Sequence, residues 1–329
     1  MSLTTNVSPT APLYTELPYP GDGVVRTTAS KMLAGALRRH APEILKKDRF
    51  YLADVGCGTG EATCGIAREF PNAVVLGLDI NPASLKLARE LAQRNRLNVS
   101  FLSANITNDL WGTIQAAGVL PEGQAFDVVV SMGVLHHLED PRVGFAEIRR
   151  LVAATGVFMG FIYSRLGRWD DLAVKNILSG LAGASFAQRS GAVRALKLSS
   201  KHTLFGFLRN LRQRLKVGPP INLWEMIQVR RKRNLLVHLS DTYSNPCEHL
   251  YSFAELNQIL QDTGWSFVSL VERGGLPLTP AAHTRNREAL AILRSLPADV
   301  FYDYLAYYYK AIGFSFLALP NRVASAENG

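Results

Sequence analysis

Cysteine is scarce: three occur in 329 residues, Cys57, Cys64 and Cys247, an odd number with neither C-x-x-C nor zinc-type spacing. A disulfide framework is therefore not expected. No apolar run approaches the roughly 18 residues that a membrane span needs. The amino-terminal Met-Ser-Leu-Thr-Thr has neither a basic start nor an apolar core, so no signal peptide is expected and the cytoplasm is the default location. No internal repeat is visible. A net positive charge is also missing from most of the chain. The net charge is +9, yet residues 165–240 alone hold fifteen Lys or Arg against three acids (Asp170, Asp171, Glu225), which leaves the remainder net acidic.

Hydrophobic residues make up 47% of the chain, enough for a sizeable core. The organising stretch is 52–60, Leu-Ala-Asp-Val-Gly-Cys-Gly-Thr-Gly. An apolar run from Phe50 to Val55 ends in three glycines spaced two apart, and a helical pattern begins at Glu61. A buried strand feeding a tight turn into a helix explains this order, because glycine takes positive φ and leaves no Cβ between backbone and ligand. Asp54 puts a carboxylate under the turn. A second apolar run, 73–78, ends at Asp79. A carboxylate at that strand tip is placed for the ribose hydroxyls of a nucleoside at the switch point of a doubly wound sheet. The dinucleotide fingerprint G-x-G-x-x-G does not fit, since Glu61 stands where its third glycine belongs and would repel a pyrophosphate.

The D-V-G-C-G-T-G stretch with Asp79 beyond it resembles motif I and the acidic loop of class I S-adenosylmethionine-dependent methyltransferases. The resemblance implies a Rossmann-like α/β fold with a mostly parallel seven-stranded sheet and helical insertions. It implies S-adenosylmethionine as cofactor, held by Asp54, Gly56, Cys57, Gly58, Gly60, Asp79, Ile80, Asn105, Ile106 and Ser131. Ile80 and Ile106 would sandwich the adenine, and Asn105 stands where the family usually has an acid that accepts from the adenine amino group. The broad resemblance covers roughly 50–163 and 251–319. The low cysteine count argues against a thiol-based arsenic methyltransferase. Residues 132–141 resemble the V-L-H-H loop of small-molecule methyltransferases, and the N/D-P-P-Y motif of DNA-base methyltransferases is absent.

In chain order, 1–25 reads as an amino-terminal arm, with Tyr14 and Tyr19 as lid residues or as mere surface packing. Residues 26–164 read as the cofactor-binding core, with a helix over 30–40, helices after each of the first two strands, a short third strand and a polar crossover over 107–125. A buried β-branched strand begins at Phe126, and a fifth strand is expected over 156–163. His136, His137 and Tyr163, at the tips of the fourth and fifth strands, are the candidate catalytic residues, because an imidazole suits proton removal near neutral pH. Adjacent histidines in a turn rarely converge on one ion, so no metal is expected. Residues 165–250 read as a basic helical cap, with Tyr243 as a substrate-side candidate. The rest of the core is expected over 251–320, opened by an S-x-x-E capping box at Ser252. It carries a helical insertion over 281–310 whose Phe301, Tyr304, Leu305, Tyr308 and Ile312 share one side, for core packing or, second to that, for stacking on an aromatic acceptor, and a tail follows from 321. Residues 241–246 and 251–256 also look similar to a bacterial methyltransferase group often fused to helical repeats.

The expected activity is methyl transfer to a small or medium-sized molecule, acidic or amphipathic if the basic cap serves the acceptor, with oxygen or carbon ahead of nitrogen. The cap's charge, including the run Arg230, Arg231, Lys232, Arg233, also suits nucleic acid or an anionic membrane surface, both ranked behind a small molecule. The competing classes are a methyltransferase-like binding or scaffold protein and a methyltransferase acting on RNA or protein. Oligomeric state is not legible.

Overall fold

The computed structural model describes residues 10–180, 235–272 and 276–321, with a few positions between 185 and 192. The elements, in order, are α1 (Ala11–Glu16), α2 (Thr28–His40), α3 (Pro42–Leu45), β1 (Phe50–Val55), α4 (Glu61–Glu69), β2 (Ala73–Asp79), α5 (Pro82–Arg94), β3 (Val99–Ser103), α6 (Leu110–Ala116), β4 (Phe126–Met132), α7 (Pro141–Leu151) and β5 (Val152–Tyr163). After β5 come α8 (Trp169–Ser179), α9 (Leu235–Ser244), α10 (Phe253–Asp262), β6 (Trp265–Leu270), α11 (Pro280–His283), α12 (Arg287–Ser295), α13 (Ala298–Tyr309) and β7 (Gly313–Pro320).

The seven strands form one sheet in the order β3-β2-β1-β4-β5-β7-β6. β1 to β5 run parallel, and β7 is antiparallel to both β5 and β6. Alternate residues enter opposite layers. Leu52, Val128 and Val130 pack with Leu33, Leu37 and Ile66 of α2 and α4. Ala53, Val129 and Phe158 pack with Phe145, Ile148, Leu256 and Leu260 of α7 and α10. Burial on both faces is why these strands read as continuous apolar runs. β1 pairs β2 on one side and β4 on the other, so the chain order reverses there and a crevice opens beyond the strands' carboxyl ends.

Several boundaries differ from the sequence expectation. The 107–125 crossover contains α6, whose N-cap Asp109 accepts from the Gly112 amide. A cap and a seven-residue helix with Gly112 inside leave too little periodicity to read. β5 begins at Val152, because α7 passes into it without a loop. The 281–310 insertion is three short helices, with Thr279 and Asn286 capping the first two. On α13 only Phe301 and Leu305 of the expected core face are buried, and Tyr308 is exposed. Tyr304 and Tyr309 instead bracket His283, each hydroxyl 2.8 Å from one ring nitrogen. The expected capping box is present, with Ser252 and Glu255 bonded reciprocally.

Val174 and Leu178 of α8 pack against Leu239 and Tyr243 of α9. The amphipathic stretch 204–216 and the basic run at 230–233 lie outside the described residues.

Candidate functional site

At the mouth of β1 the backbone turns through Gly56, Gly58 and Gly60 at φ of 80°, 53° and 77°. These left-handed values are open to glycine at little cost. The Gly56 and Cys57 amides donate to the Leu78 carbonyl at 2.7 and 2.9 Å, tying the turn to β2. Asp79, at the tip of β2, accepts from the Gly58 amide at 2.7 Å and from the Asn81 amide at 2.9 Å. A carboxylate has about four acceptor sites, so Asp79 can still accept from a ligand. Burial pushes its carboxyl pKa up, and the backbone amides pull it back. Asp54 lies below the turn, accepting from the Thr63 hydroxyl at 2.6 Å. Its burial pushes the carboxyl up to about 6.

The amino-terminal arm closes this end. The Tyr19 carbonyl accepts from the Thr59 amide at 3.1 Å, and the Gly21 amide donates to the Thr59 hydroxyl at 3.1 Å. A Cβ on Gly58 would sit 2.3 Å from the Tyr19 carbonyl oxygen, so only glycine admits the arm. Further along, the Gly23 amide donates to Glu61, and Arg26 pairs with the same buried carboxylate at 2.8 Å. Tyr14 ties the arm to two other regions. Its carbonyl accepts from the Asn81 side chain at 2.6 Å, while its hydroxyl donates to Asp241 at 2.7 Å and accepts from Asn245 at 2.9 Å.

Arm and strand ends enclose a cavity of about 360 Å³, within the size range of ligand sites. Asp54, Gly56, Cys57, Gly58, Asp79, Ile80, Asn105 and Ile106 line it, as do Tyr14, Tyr19, His137 and Tyr163. His137 is neutral by burial, which lowers its pKa. Its Nδ1 lies 2.8 Å from the Cys247 carbonyl. A carbonyl only accepts, so the neutral ring carries its proton on Nδ1 and presents a basic Nε2.

Four expected site residues do not line the cavity. Gly60 packs against α5, where an added Cβ would meet that of Ala88 at 2.7 Å. Ser131 is fully buried in the sheet and donates to the Val55 carbonyl at 3.0 Å. Tyr243 turns away and donates to Asp171 at 3.2 Å. His136 is wholly buried behind Tyr163, its ring 3.8 Å from the tyrosine centroid, with neither ring nitrogen hydrogen-bonded. The Arg168 guanidinium also stacks 3.8 Å from that centroid. Two groups cannot share that position, so they take opposite faces of Tyr163. Asn105 lines the cavity, but its oxygen already accepts from the Thr107 amide and hydroxyl at 3.0 Å, a crowded place for an adenine amino group.

Sequence reasoning missed Asp241, Arg26, Asn81 and Arg168. Asp241 sits two residues before the expected Tyr243. Two residues on a helix differ by about 200°, so only one of them faces the cavity. Among the described residues no group of three or more His, Cys, Asp or Glu is placed to hold a metal ion.

A tight glycine turn, a strand-end carboxylate and flanking Ile80 and Ile106 suit a nucleoside, and the acids Asp54 and Asp79 suit a cationic one. The chain's residues therefore fit a sulfonium nucleoside. A family model for a methyltransferase domain matches residues 53–158. An uncharacterized protein of Synechococcus is 27% identical over 226 residues, 68% of this chain and 48% of its own length. The ubiquinone biosynthesis O-methyltransferase of Pasteurella multocida is 31% identical over 117 residues, 35% of this chain and 48% of its own. Among solved structures, PKMT2 from Rickettsia typhi superposes with a TM-score of 0.56 at 13% identity, covering 96% of this chain and 54% of that one, a likeness of fold. The chain spans about half the length of these relatives. The sheet order is that of the class I methyltransferase fold, residues 53–158 within it match a methyltransferase domain, and the residues of the cradle fit S-adenosylmethionine.

Proposed function

We propose that the protein is an enzyme that methylates a small or medium-sized molecule, at oxygen or carbon ahead of nitrogen. The observation that carries this reading is a cavity that continues past the cofactor cradle to His137 and Tyr163 under a closed arm. A binding or scaffold protein has no use for a proton acceptor at that end. When bound, the cofactor supplies an electrophilic methyl group on a sulfur that is its own leaving group. Asp79 accepts from the ribose hydroxyls, Asp54 offsets the positive charge, and Ile80 and Ile106 flank the base. Tyr14 and Tyr19 exclude water. His137 Nε2 takes the proton of a hydroxyl acceptor, and Tyr163, fixed between His136 and Arg168, helps hold the acceptor about 3–3.5 Å from the methyl carbon.

The segment 165–250 forms the acceptor side of this scheme through Asp241 and Arg168, and 10–25 forms the lid. The expectation of an acidic acceptor rested on the positive surplus of residues 165–240. Among the described lining residues the balance is opposite: Asp54, Asp79 and Asp241 against Arg26, which is already paired with Asp22 and Glu61. The buried part of the acceptor is therefore neutral or cationic.

The test is label transfer. Purified protein, methyl-labelled cofactor and a cell extract split into small-molecule, RNA and protein fractions should yield label in the small-molecule fraction. Label confined to RNA or protein would refute a small acceptor.

A further inference from the structure

The cavity has two ends of different character. The charge of Asp79 acts on Asp54 at the cofactor end. The charge of Asp241 acts instead on Tyr14, Tyr163 and His137. Asp241 is 6% exposed, lines the cavity and, among the described residues, receives one hydrogen bond, from the Tyr14 hydroxyl at 2.7 Å. Among the described residues no Lys, Arg or His forms an ion pair with it. Arg168, whose charge reaches Asp241, is already paired with Asp171 and Glu248 and bonds the Thr242 carbonyl. A buried carboxylate without a cation is costly. The walls beside it include the rings of Tyr14 and Tyr19, and aromatic faces attract cations; Tyr163, whose faces His136 and Arg168 cover, offers only its edge.

We propose that Asp241, walled by Tyr14, Tyr19 and Tyr163, is the acceptor subsite for a cationic nitrogen, a protonated amine on the molecule to be methylated. This rests on the methyltransferase reading and names the class of acceptor within it. Asp241 binds this nitrogen and takes no part in methyl transfer. An acceptor presenting a carboxylate or phosphate here would face repulsion with no cation to offset it. The Tyr14 hydroxyl, fixed by Asn245, orients Asp241 and couples the subsite to the arm, so an amine is read only when the arm is closed.

The test uses the full chain saturated with S-adenosylhomocysteine and three probes of similar shape: phenethylamine, 2-phenylethanol and phenylacetate. Ligand-observed NMR should show phenethylamine binding, the alcohol weaker and phenylacetate absent. Asp241→Asn should weaken phenethylamine about tenfold or more, as expected for loss of a charge-assisted contact. Affinity for S-adenosylhomocysteine should stay within about twofold, since Asp241 lies at the other end. Phenylacetate binding as well as the amine, or no amine binding to the saturated protein, would overturn the subsite. So would an Asn variant with unchanged amine affinity. The wild-type ranking decides the matter even if that variant fails to fold. If S-adenosylhomocysteine itself does not bind, the methyltransferase reading falls first, and calorimetry on the wild type separates that outcome.

Discussion

Asp79 is oriented before any ligand arrives, because two backbone amides already hold it. Asp79→Ala should weaken S-adenosylmethionine binding by about 1.5–3 kcal/mol, the range for hydrogen bonds to a charged group. Calorimetry reads this directly, and an unchanged affinity would remove Asp79 from the ribose site. Asp54 gives a pH signature. Its carboxyl titrates at about 6, and only the ionised form offsets a cation. Cofactor affinity should therefore fall as pH drops below about 6, and Asp54→Asn should flatten that dependence. His137 acts as a base only while neutral, and its pKa is lowered. The turnover number should hold across neutral pH and fall only on the acid side of the ordinary imidazole value, with His137→Gln abolishing that limb. At this scale legibility followed geometry. That Asp54 and Asp79 line the cavity was readable, because the end of a strand and the turn after it fix their place. Ser131, His136 and Tyr243 were not, because a one- or two-residue rotation on a strand, turn or helix carries a side chain to another side.

The arm shows what an element contributes. An arm over 1–25 was plain in the sequence, but its docking partner was not. Glu61 reads as an acid that excludes a pyrophosphate, whereas the fold uses it to anchor Gly23 and Arg26. Gly65 of α4 completes the seat, since a Cβ there would meet the Arg26 carbonyl oxygen at 1.9 Å. Glu61→Gln removes the charge from the pair and should loosen the arm without unfolding the sheet. Hydrogen exchange should quicken at 19–26 and stay slow in β1 and β4; unchanged exchange at 19–26 would show that the pair does not hold the arm. The tyrosines of α13 taught the reverse lesson. Helical spacing placed Tyr308 with the core, but the neighbouring short α11 brought His283 to the tyrosines, and Tyr308 packs edge-to-face on it from the exposed side.

For the whole molecule, the buried central strands were legible in runs such as 126–131, because a strand covered on both faces needs no alternation. The basic segment could not be placed, since net charge speaks to partners and not to fold. Stability should carry the mark of the buried histidines. His136 and His137 both have pKa values below the unfolded value of about 6.5. The unfolded chain then binds more protons below that pH, so their contribution falls as pH drops through it. Asp54 works oppositely between its unfolded value and about 6. His136→Phe keeps the stack on Tyr163 and removes one titration. Its denaturation midpoint should decline less than the wild type's between pH 7 and 5, and an equal decline would show that His136 does not contribute. The central claim, a cradle built for a sulfonium nucleoside, is tested most directly by titrating the purified protein with S-adenosylmethionine, S-adenosylhomocysteine and NAD in a calorimeter. One-site binding of the first two with no response to NAD is the predicted result; silence with both, or an equal response to NAD, would contradict it.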